Sequence, residues 1–415
     1  MIAIAVAICA VAQPCYGLAA NSEIEGLVTE AIERNPTVAA AREHYAAQEK
    51  VPIQAATLPD PEISLQQLTV GGPKPFEGYE TSDFFYTGIG VSQEIPWPGK
   101  LRLRSSAAAR DAEIAKQQFD DARREVAEKV RENCFELVFL GKRIALLGAS
   151  RDQLGDITNF TEGQYRLGKG QQSDLIKAQM AATAVLKEIE MTRQEMAQRQ
   201  VTLKSILGRD RDSRNIEISD RAPTVMPEHL DRDRLMELAA HNPSQVRMAE
   251  TEAGKSEVGL RLAQEDYIPD FTAGYSYQKT GPGFRDYYML SLGAKIPLYF
   301  WRKQKPAVEQ AALERESATE KLRASKLDAA GEIDRDWIAL KTQDRVMNLY
   351  REGLLPQARA AFESAMASYR VGHADFQSVL SAAVEQLNMN EEYYRAITDR
   401  EIAIARIEQM IGENL

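Results

Sequence analysis

Between Leu101 and Val130 the apolar positions recur at steps of three and four: Ala108, Ala112, Ala115, Phe119, Ala122, Val126 and Val130. That period marks the seam of a helix packed side by side with others. Helix formers fill the chain from Leu101 to Gly208, and no proline falls between Pro98 and Pro223. The strong interruption is Tyr165-Arg166-Leu167-Gly168-Lys169-Gly170, where two glycines permit a tight reversal. The pattern predicts a hairpin. An outgoing helix of roughly 65 residues, about 100 Å long at 1.5 Å per residue, is followed by a shorter return to Leu207. Such a pair is too long for one compact globule.

The pattern occurs twice. Tyr165-Arg166-Leu167-Gly168 is echoed by Tyr369-Arg370-Val371-Gly372, and Ile206-Leu207-Gly208 by Met410-Ile411-Gly412. Upstream, Asn35-Pro36 answers Asn242-Pro243, and Leu58-Pro59-Asp60 answers Ile268-Pro269-Asp270. Landmarks in one order at nearly one spacing indicate a tandem duplication. The expected division is a leader over residues 1–20, a first repeat over 21–208, a linker over 209–230 with one short strand, and a second repeat over 231–415.

Each repeat opens with short helices, the first from Glu23 to Arg34 and the next from about Thr37 to Thr57 despite Pro52. The period then changes to two. Glu62 to Val70 and Phe84 to Ile95 read as strands joined by a Gly71-Gly72-Pro73 to Phe76 loop. On the second of these, Ile89, Val91 and Ile95 lie on one face, with Gly88, Gly90, Ser92 and Glu94 on the other. In the second repeat Phe271, Ala273, Tyr275 and Tyr277 alternate with Thr272, Gly274, Ser276 and Gln278. After a Gly281-Pro282-Gly283 loop, Tyr288, Leu290, Leu292, Ala294 and Ile296 alternate with Tyr287, Met289, Ser291, Gly293 and Lys295. Strands of about ten residues with one greasy and one small or polar face suit a transmembrane barrel. A soluble hairpin covering a core gives the same alternation. Aromatics at the strand ends (Phe84, Phe85, Tyr86, Tyr287, Tyr288, Tyr299, Phe300 and Trp301) favour lipid, since such rings collect at membrane interfaces. Prolines mark the exits into the long helices: Ile95-Pro96-Trp97-Pro98-Gly99-Lys100 first, Ile296-Pro297 and Pro306 second. The second hairpin is expected from about Arg302 to Tyr369, bent near Gly353 and Pro356, and back from Phe376 to Ile411.

Composition narrows the picture. Mean hydropathy is −0.39, which excludes a bundle of membrane helices, and net charge is −10, which disfavours nucleic acid. Residues 1–20 carry no charge and are dense in Ala, Ile and Val, as in a secretory signal peptide with a small-residue cleavage site at Gly17-Leu18-Ala19. Cys9 and Cys15 would leave with that segment, so Cys134 stands alone as a small apolar residue with no disulfide framework. Four strands cannot close a barrel, for which eight is the smallest size. Several chains must therefore share one: two copies give eight strands and an interior filled by side chains, and three give twelve and leave a pore.

The duplicated Tyr-Arg-(Leu/Val)-Gly turns at 165–168 and 369–372, the exit Gln93-Glu94-Ile95-Pro96-Trp97-Pro98-Gly99-Lys100, and Gly353-Leu354-Leu355-Pro356-Gln357 resemble the TolC-type outer-membrane efflux channels. The latter two are similar to the branch that serves heavy-metal resistance-nodulation-division pumps. The resemblance implies a mostly α protein with a small β part, built as a homotrimer. Duplicated helical hairpins form a periplasmic α-barrel tunnel, and four transmembrane strands per chain contribute to a twelve-stranded barrel in outer-membrane lipid. Its implied partners are a periplasmic adaptor and an inner-membrane pump of that class. The implied adaptor-binding tips are Arg166, Leu167, Gly168, Arg370, Val371 and Gly372. The implied tip gate involves Asp174, with Asp375 and the positions of Ser378 and Ser381, where family members carry acids. The cargo implied is small solutes, metal cations foremost, with drug efflux or type I protein secretion as alternatives.

No enzyme chemistry is expected. Gly168-Lys169-Gly170 lacks the remaining glycines and the hydroxyl of a phosphate loop. His44, His229, His241 and His373 are scattered, and no CxxC or HExxH occurs, so neither a metal site nor a cofactor is called for. Two rival classes remain. A periplasmic coiled-coil adaptor explains the helices but not two alternating hairpins in matching places, and a structural fibre would not need proline-gated strand modules.

Overall fold

The computed structural model describes residues 16–68, 86–218, 231–281 and 284–412. Residues 1–15 of the expected leader, the 71–76 loop, Phe84 and Phe85, residues 219–230 of the linker, and Pro282 and Gly283 lie outside the described residues. The elements run α1 (Tyr16–Arg34), α2 (Pro36–Gln48), α3 (Val51–Ala56), β1 (Glu62–Leu68), β2 (Tyr86–Ile95), α4 (Pro98–Arg166) and α5 (Gln172–Ile206). The second repeat gives α6 (Arg232–Ala239), α7 (Ser244–Glu265), β3 (Asp270–Thr280), β4 (Tyr287–Lys295), α8 (Gln304–Leu349), a π turn (Tyr350–Leu354), α9 (Leu355–Arg370) and α10 (Phe376–Ile411). The helix α4 is 69 residues long.

Three expectations change in detail. The helix expected over 37–57 is two, α2 and α3, because Pro52 lacks an N–H and is accommodated in a first turn, here that of α3. The expected bend near Gly353 and Pro356 is a widened π turn. A proline ring clashes with the carbonyl four residues back, here that of Glu352, and widening the turn relieves the conflict. The described part of the linker, residues 209–218, contains no strand. Its backbone is held by side chains instead. Gln200 Nε2 donates to the Ile216 carbonyl at 2.7 Å while Gln200 Oε1 accepts from the Ile216 N–H at 3.0 Å. The buried Lys204 ammonium donates to the Ser213 carbonyl at 2.6 Å and to Asn215 Oδ1 at 3.0 Å, which supplies the oxygens that a buried cation requires.

The chain divides into two units. One comprises Ala41–Phe119 and Ser244–Leu327 and holds the sheet. All four strands form one antiparallel sheet in the order β1-β2-β3-β4, so the two hairpins are joined by β2 against β3. Their register pairs Ile95 with Phe271 and Tyr86 with Thr280. Burial on the central strands β2 and β3 is inverted relative to a soluble sheet, and the apolar side chains of β4 are exposed with them. Gly88, Gly90, Gly274, Ser276, Gln278 and Thr280 are buried, while Ile89, Val91, Tyr275, Leu290 and Leu292 are exposed. Gln278, only 1 % exposed, donates to Gln66 Oε1 at 3.2 Å. A sheet in water buries its apolar face; lipid reverses that preference. At the strand-to-helix exit, Asp270 Oδ1 accepts from the Trp97 N–H at 3.0 Å and from the buried Lys100 ammonium at 2.9 Å. The Pro-Trp-Pro-Gly-Lys motif is thereby tied to the first residue of β3.

The other unit comprises Met1–Ala40, Asp120–Pro243 and Asp328–Leu415. One core packs Leu147, Leu154 and Ile157 of α4 against Ala178, Val185 and Ile189 of α5, Met366 of α9, and Phe376 and Val379 of α10. A second packs Leu235 and Ala239 of α6 against Ile333 and Leu340 of α8 and Ile404, Ile407 and Ile411 of α10. Ion pairs stitch the helices where they are partly buried: Arg131 to Glu25 at 2.9 Å and Glu408 at 3.4 Å, and Arg395 to the buried Glu136 at 3.0 Å. Cys134 is buried, and burial pushes its thiol up to about 12, so it is inert. No described helix is long and apolar enough to cross a membrane.

Candidate functional site

The two reversals, α4 to α5 and α9 to α10, carry the candidate tip residues. At the first, φ of Gly168 is 68°, its N–H bonds the Tyr165 carbonyl at 2.9 Å, and the Lys169 N–H bonds the Gln164 carbonyl at 2.9 Å. At the second, φ of Gly372 is 77°, with Gly372 N–H to the Tyr369 carbonyl at 3.1 Å and His373 N–H to the Ser368 carbonyl at 2.9 Å. Both are left-handed C-terminal caps, which glycine adopts without steric cost. Such caps commonly fold an apolar neighbour back onto the helix. Here they do not: Leu167 is 71 % exposed and Val371 66 %. Arg166 pairs with Glu162 one turn back at 2.5 Å, and Arg370 is exposed.

Beneath the turns an aromatic stack fixes one reversal against the other. Tyr369 lies edge-on to Phe160 at 5.6 Å and to Phe376 at 6.0 Å, and its hydroxyl is 3.4 Å from Thr161 Oγ1. Between the reversals opens a polar cleft of about 640 Å³. Of the candidates, Arg370, Val371, Gly372, Asp174 and Asp375 line it, joined by Lys169 and Lys177. Arg166, Leu167 and Gly168 stand on the first turn without lining the cleft, and neither do Ser378 and Ser381.

The candidate gate residues have separate local roles. Asp375 is the N-cap of α10, accepting from the Ser378 N–H at 2.9 Å and from its hydroxyl at 2.5 Å. Those two bonds, with Lys177 nearby, hold the Asp375 carboxyl below its usual range. Asp174 is half-buried in the first turn of α5, where a carboxylate suits the positive helix end. Ser381 is exposed and receives only a 3.4 Å contact from Gln377. Sequence reading did not single out Lys169, Lys177, Tyr369 or Phe376 for the cleft. The spacing of Asp174 and Lys177, three apart on one helix face, was the available signal.

Away from the tips, Tyr350 in the π turn bonds Glu392 of α10, and that contact pushes the phenol up to about 12. Among the described residues no group of three or more His, Cys, Asp or Glu side chains is placed to hold a metal ion.

A chain that combines two long helical hairpins, exposed apolar turns and an inside-out four-stranded sheet defines the protomer of an α-barrel and β-barrel channel. The sequence profile of the outer membrane efflux proteins matches residues 27–209 and 235–413, and the chain belongs to that family. It is therefore an outer-membrane protein with a large periplasmic helical portion. A relative, the pyoverdine export outer membrane protein OpmQ of Pseudomonas putida, is 22% identical over 305 residues. That match covers 72% of this chain and 64% of the relative. Among solved structures, the outer-membrane channel OprN superposes with a TM-score of 0.81 at 16% identity, over 94% of this chain and 90% of that one. CusC gives 0.80 at 13% identity over 97% and 95%. VceC of Vibrio cholerae gives 0.79 at 16% identity over 95% and 97%. These likenesses establish the fold.

Proposed function

We propose that the protein is a passive conduit: the outer-membrane channel of a tripartite efflux system, assembled as a homotrimer and loaded by an inner-membrane resistance-nodulation-division pump through a periplasmic adaptor. The observation that carries this reading is the sheet. Its apolar side chains are exposed while the small and polar face of the central strands β2 and β3 is buried at Gly88, Gly90, Gly274, Ser276, Gln278 and Thr280, and β1 and β4 are edge strands with no partner among the described residues. Open edges are intolerable in lipid, so the edges pair with those of other copies. A conduit needs no tight binding of its cargo, since tight sites slow release.

The tips dock the adaptor in this reading. Leu167 and Val371 are large apolar side chains exposed at the ends of polar helices, a liability unless a partner covers them. The cleft beside Val371, lined by Lys169, Lys177 and Arg370 together with Asp174 and Asp375, adds charges that select register. For cargo, the Gly353-Leu354-Leu355-Pro356-Gln357 and Pro96-Trp97-Pro98 motifs favour metal cations. The relative named for pyoverdine export favours a small organic chelator as the second reading.

The docking claim is tested with Leu167→Asp combined with Val371→Asp. The expected outcome is an intact pore in planar bilayers together with loss of crosslinking to the adaptor and loss of efflux in cells. Efflux and crosslinking that persist with both tips charged contradict it. Cargo is read from the same strains, as sensitivity to metal salts against retention of a siderophore when the gene is deleted.

A further inference from the structure

The last turn of the sheet module carries two chemistries in one place. Beyond β4, after Ile296, Pro297 and Leu298, come Tyr299, Phe300 and Trp301, all exposed, and then Arg302, Lys303 and Lys305, exposed as well. The rings form one cluster, with Phe300 and Trp301 edge to face at 5.2 Å and Tyr299 and Trp301 at 6.1 Å. The backbone binds the cations to the rings. The Arg302 and Lys303 N–H groups donate to the Tyr299 carbonyl at 2.9 and 3.0 Å, and the Lys305 N–H donates to the Phe300 carbonyl at 2.8 Å. No ion pair to a described residue engages any of the three cations. The sequence from Tyr287 to Val308 contains no Asp or Glu. Three free cations on an ordered turn are unusual on a chain of net charge −10.

We infer that this turn is a docking surface for anionic phospholipid in the periplasmic leaflet of the outer membrane. The turn continues the exposed apolar face of β4 and joins it to α8, so it stands at the helical, periplasmic end of the membrane wall. Aromatic rings settle at headgroup depth, where one side is apolar and the other wet. That depth brings Arg302, Lys303 and Lys305 level with lipid phosphates. Arg302 matches a phosphodiester with its paired N–H donors, and the lysines add point charge. Each cation near an anionic surface is worth about fivefold in binding. The collar thereby fixes the depth of the barrel and recruits negatively charged lipid around it. The inference rests on β4 being membrane wall.

The test is native mass spectrometry of the full protein released from nanodiscs of equal parts phosphatidylcholine and phosphatidylglycerol. The wild type is expected to retain phosphatidylglycerol in preference to phosphatidylcholine. Arg302→Gln with Lys303→Gln and Lys305→Gln is expected to reduce that preference about tenfold or more while leaving assembly intact. Lys321→Gln with Arg323→Gln, two exposed cations further along α8, is expected to leave it unchanged. A wild type without preference overturns the inference, as does a triple variant that keeps it or a control pair that loses it equally. A chain that stays out of the discs altogether overturns the membrane reading beneath it, and this inference with it.

Discussion

The side-chain amide of Asn35 donates to the carbonyl of Ile206 at 2.8 Å. Asn242 makes the corresponding contact one position nearer the terminal glycine, on the Ile411 carbonyl at 3.1 Å. In both repeats an asparagine ahead of a proline thus caps the last turn of the returning helix, and a left-handed glycine follows: Gly208 with φ of 64° and Gly412 with φ of 72°. The duplication is therefore a duplicated lock as well as a duplicated outline. Each lock satisfies a helix-end carbonyl that would otherwise lack a partner.

Four glycines share positive φ but not surroundings, so alanine should rank them. A Cβ on Gly208 would meet the Arg34 carbonyl at 2.8 Å, which is backbone and does not yield. On Gly412 it would meet the Arg124 guanidinium at 2.5 Å, the movable end of a side chain. On Gly168 and Gly372 nothing lies within 4 Å, so only the left-handed strain of about 1–2 kcal/mol applies. Thermal unfolding in detergent should show Gly208→Ala as the most damaging, Gly168→Ala and Gly372→Ala as mild, and Asn35→Ala at about 1 kcal/mol. Equal loss at Gly168 and Gly208 would contradict the ranking.

The hairpins were legible because a period of three and four runs from Ala108 to Val130 in a stretch without proline, and the strands because Tyr275 to Gln278 and Tyr288 to Ile296 alternate cleanly. Which face is buried was legible only as a choice, since Leu290 and Leu292 give one alternation in lipid and in a soluble core. The linker was not legible. Its path depends on Gln200 and Lys204 reaching across to Ile216 and Ser213, and such tertiary bonds leave no local period. At the tip, Asp375 directly precedes the apolar start of α10, with Ser378 three residues on, and that spacing is an N-cap signal. The family pattern directed reading of the same residues toward a gate.

Substitutions on β4 separate its faces. Leu290 and Leu292 are 71 % and 78 % exposed, and an arginine at either would face mid-bilayer at a cost of about 2–4 kcal/mol. Assembly of the membrane form should fail. Ser291→Arg should assemble and change conductance. Gly293 is a poorer control, because a Cβ there meets Thr272 Oγ1 at 2.5 Å. Heat-resistant assembly on gels and single-channel recording give the readout, and equal damage from both faces would argue for a soluble sheet.

Stability should rise on mild acidification. Burial holds the carboxyls of Glu128 on α4 and Asp336 on α8 above their usual range, with Glu125, Glu132 and Glu332 adding repulsion and Arg406 of α10 opposing it. Glu128, Asp336, Glu332 and Arg406 line a small cavity of about 220 Å³ with Arg335. A carboxyl with a raised folded pKa takes its proton first in the folded state. Its charge costs stability at neutral pH, and the cost is relieved as pH falls through the folded value and is gone below the ordinary value of 4.5 for Glu. Glu30, held low first by its bond to Arg209, runs the other way: its contribution is lost only as pH falls below that ordinary value. Glu128→Gln should therefore raise the unfolding temperature at about pH 7.5, and the gain should shrink toward about pH 5. A gain that does not depend on pH would contradict this.

Four strands are too few to close a wall in lipid, so several chains have to share one barrel. The direct test is the mass of the purified protein in detergent, with conductance of the same sample in a planar bilayer. Three chains per particle are expected, with a stable open-ended pore once the tips are engaged or loosened. A monomer that stays soluble and monodisperse without detergent, and adds no conductance, would contradict the shared barrel.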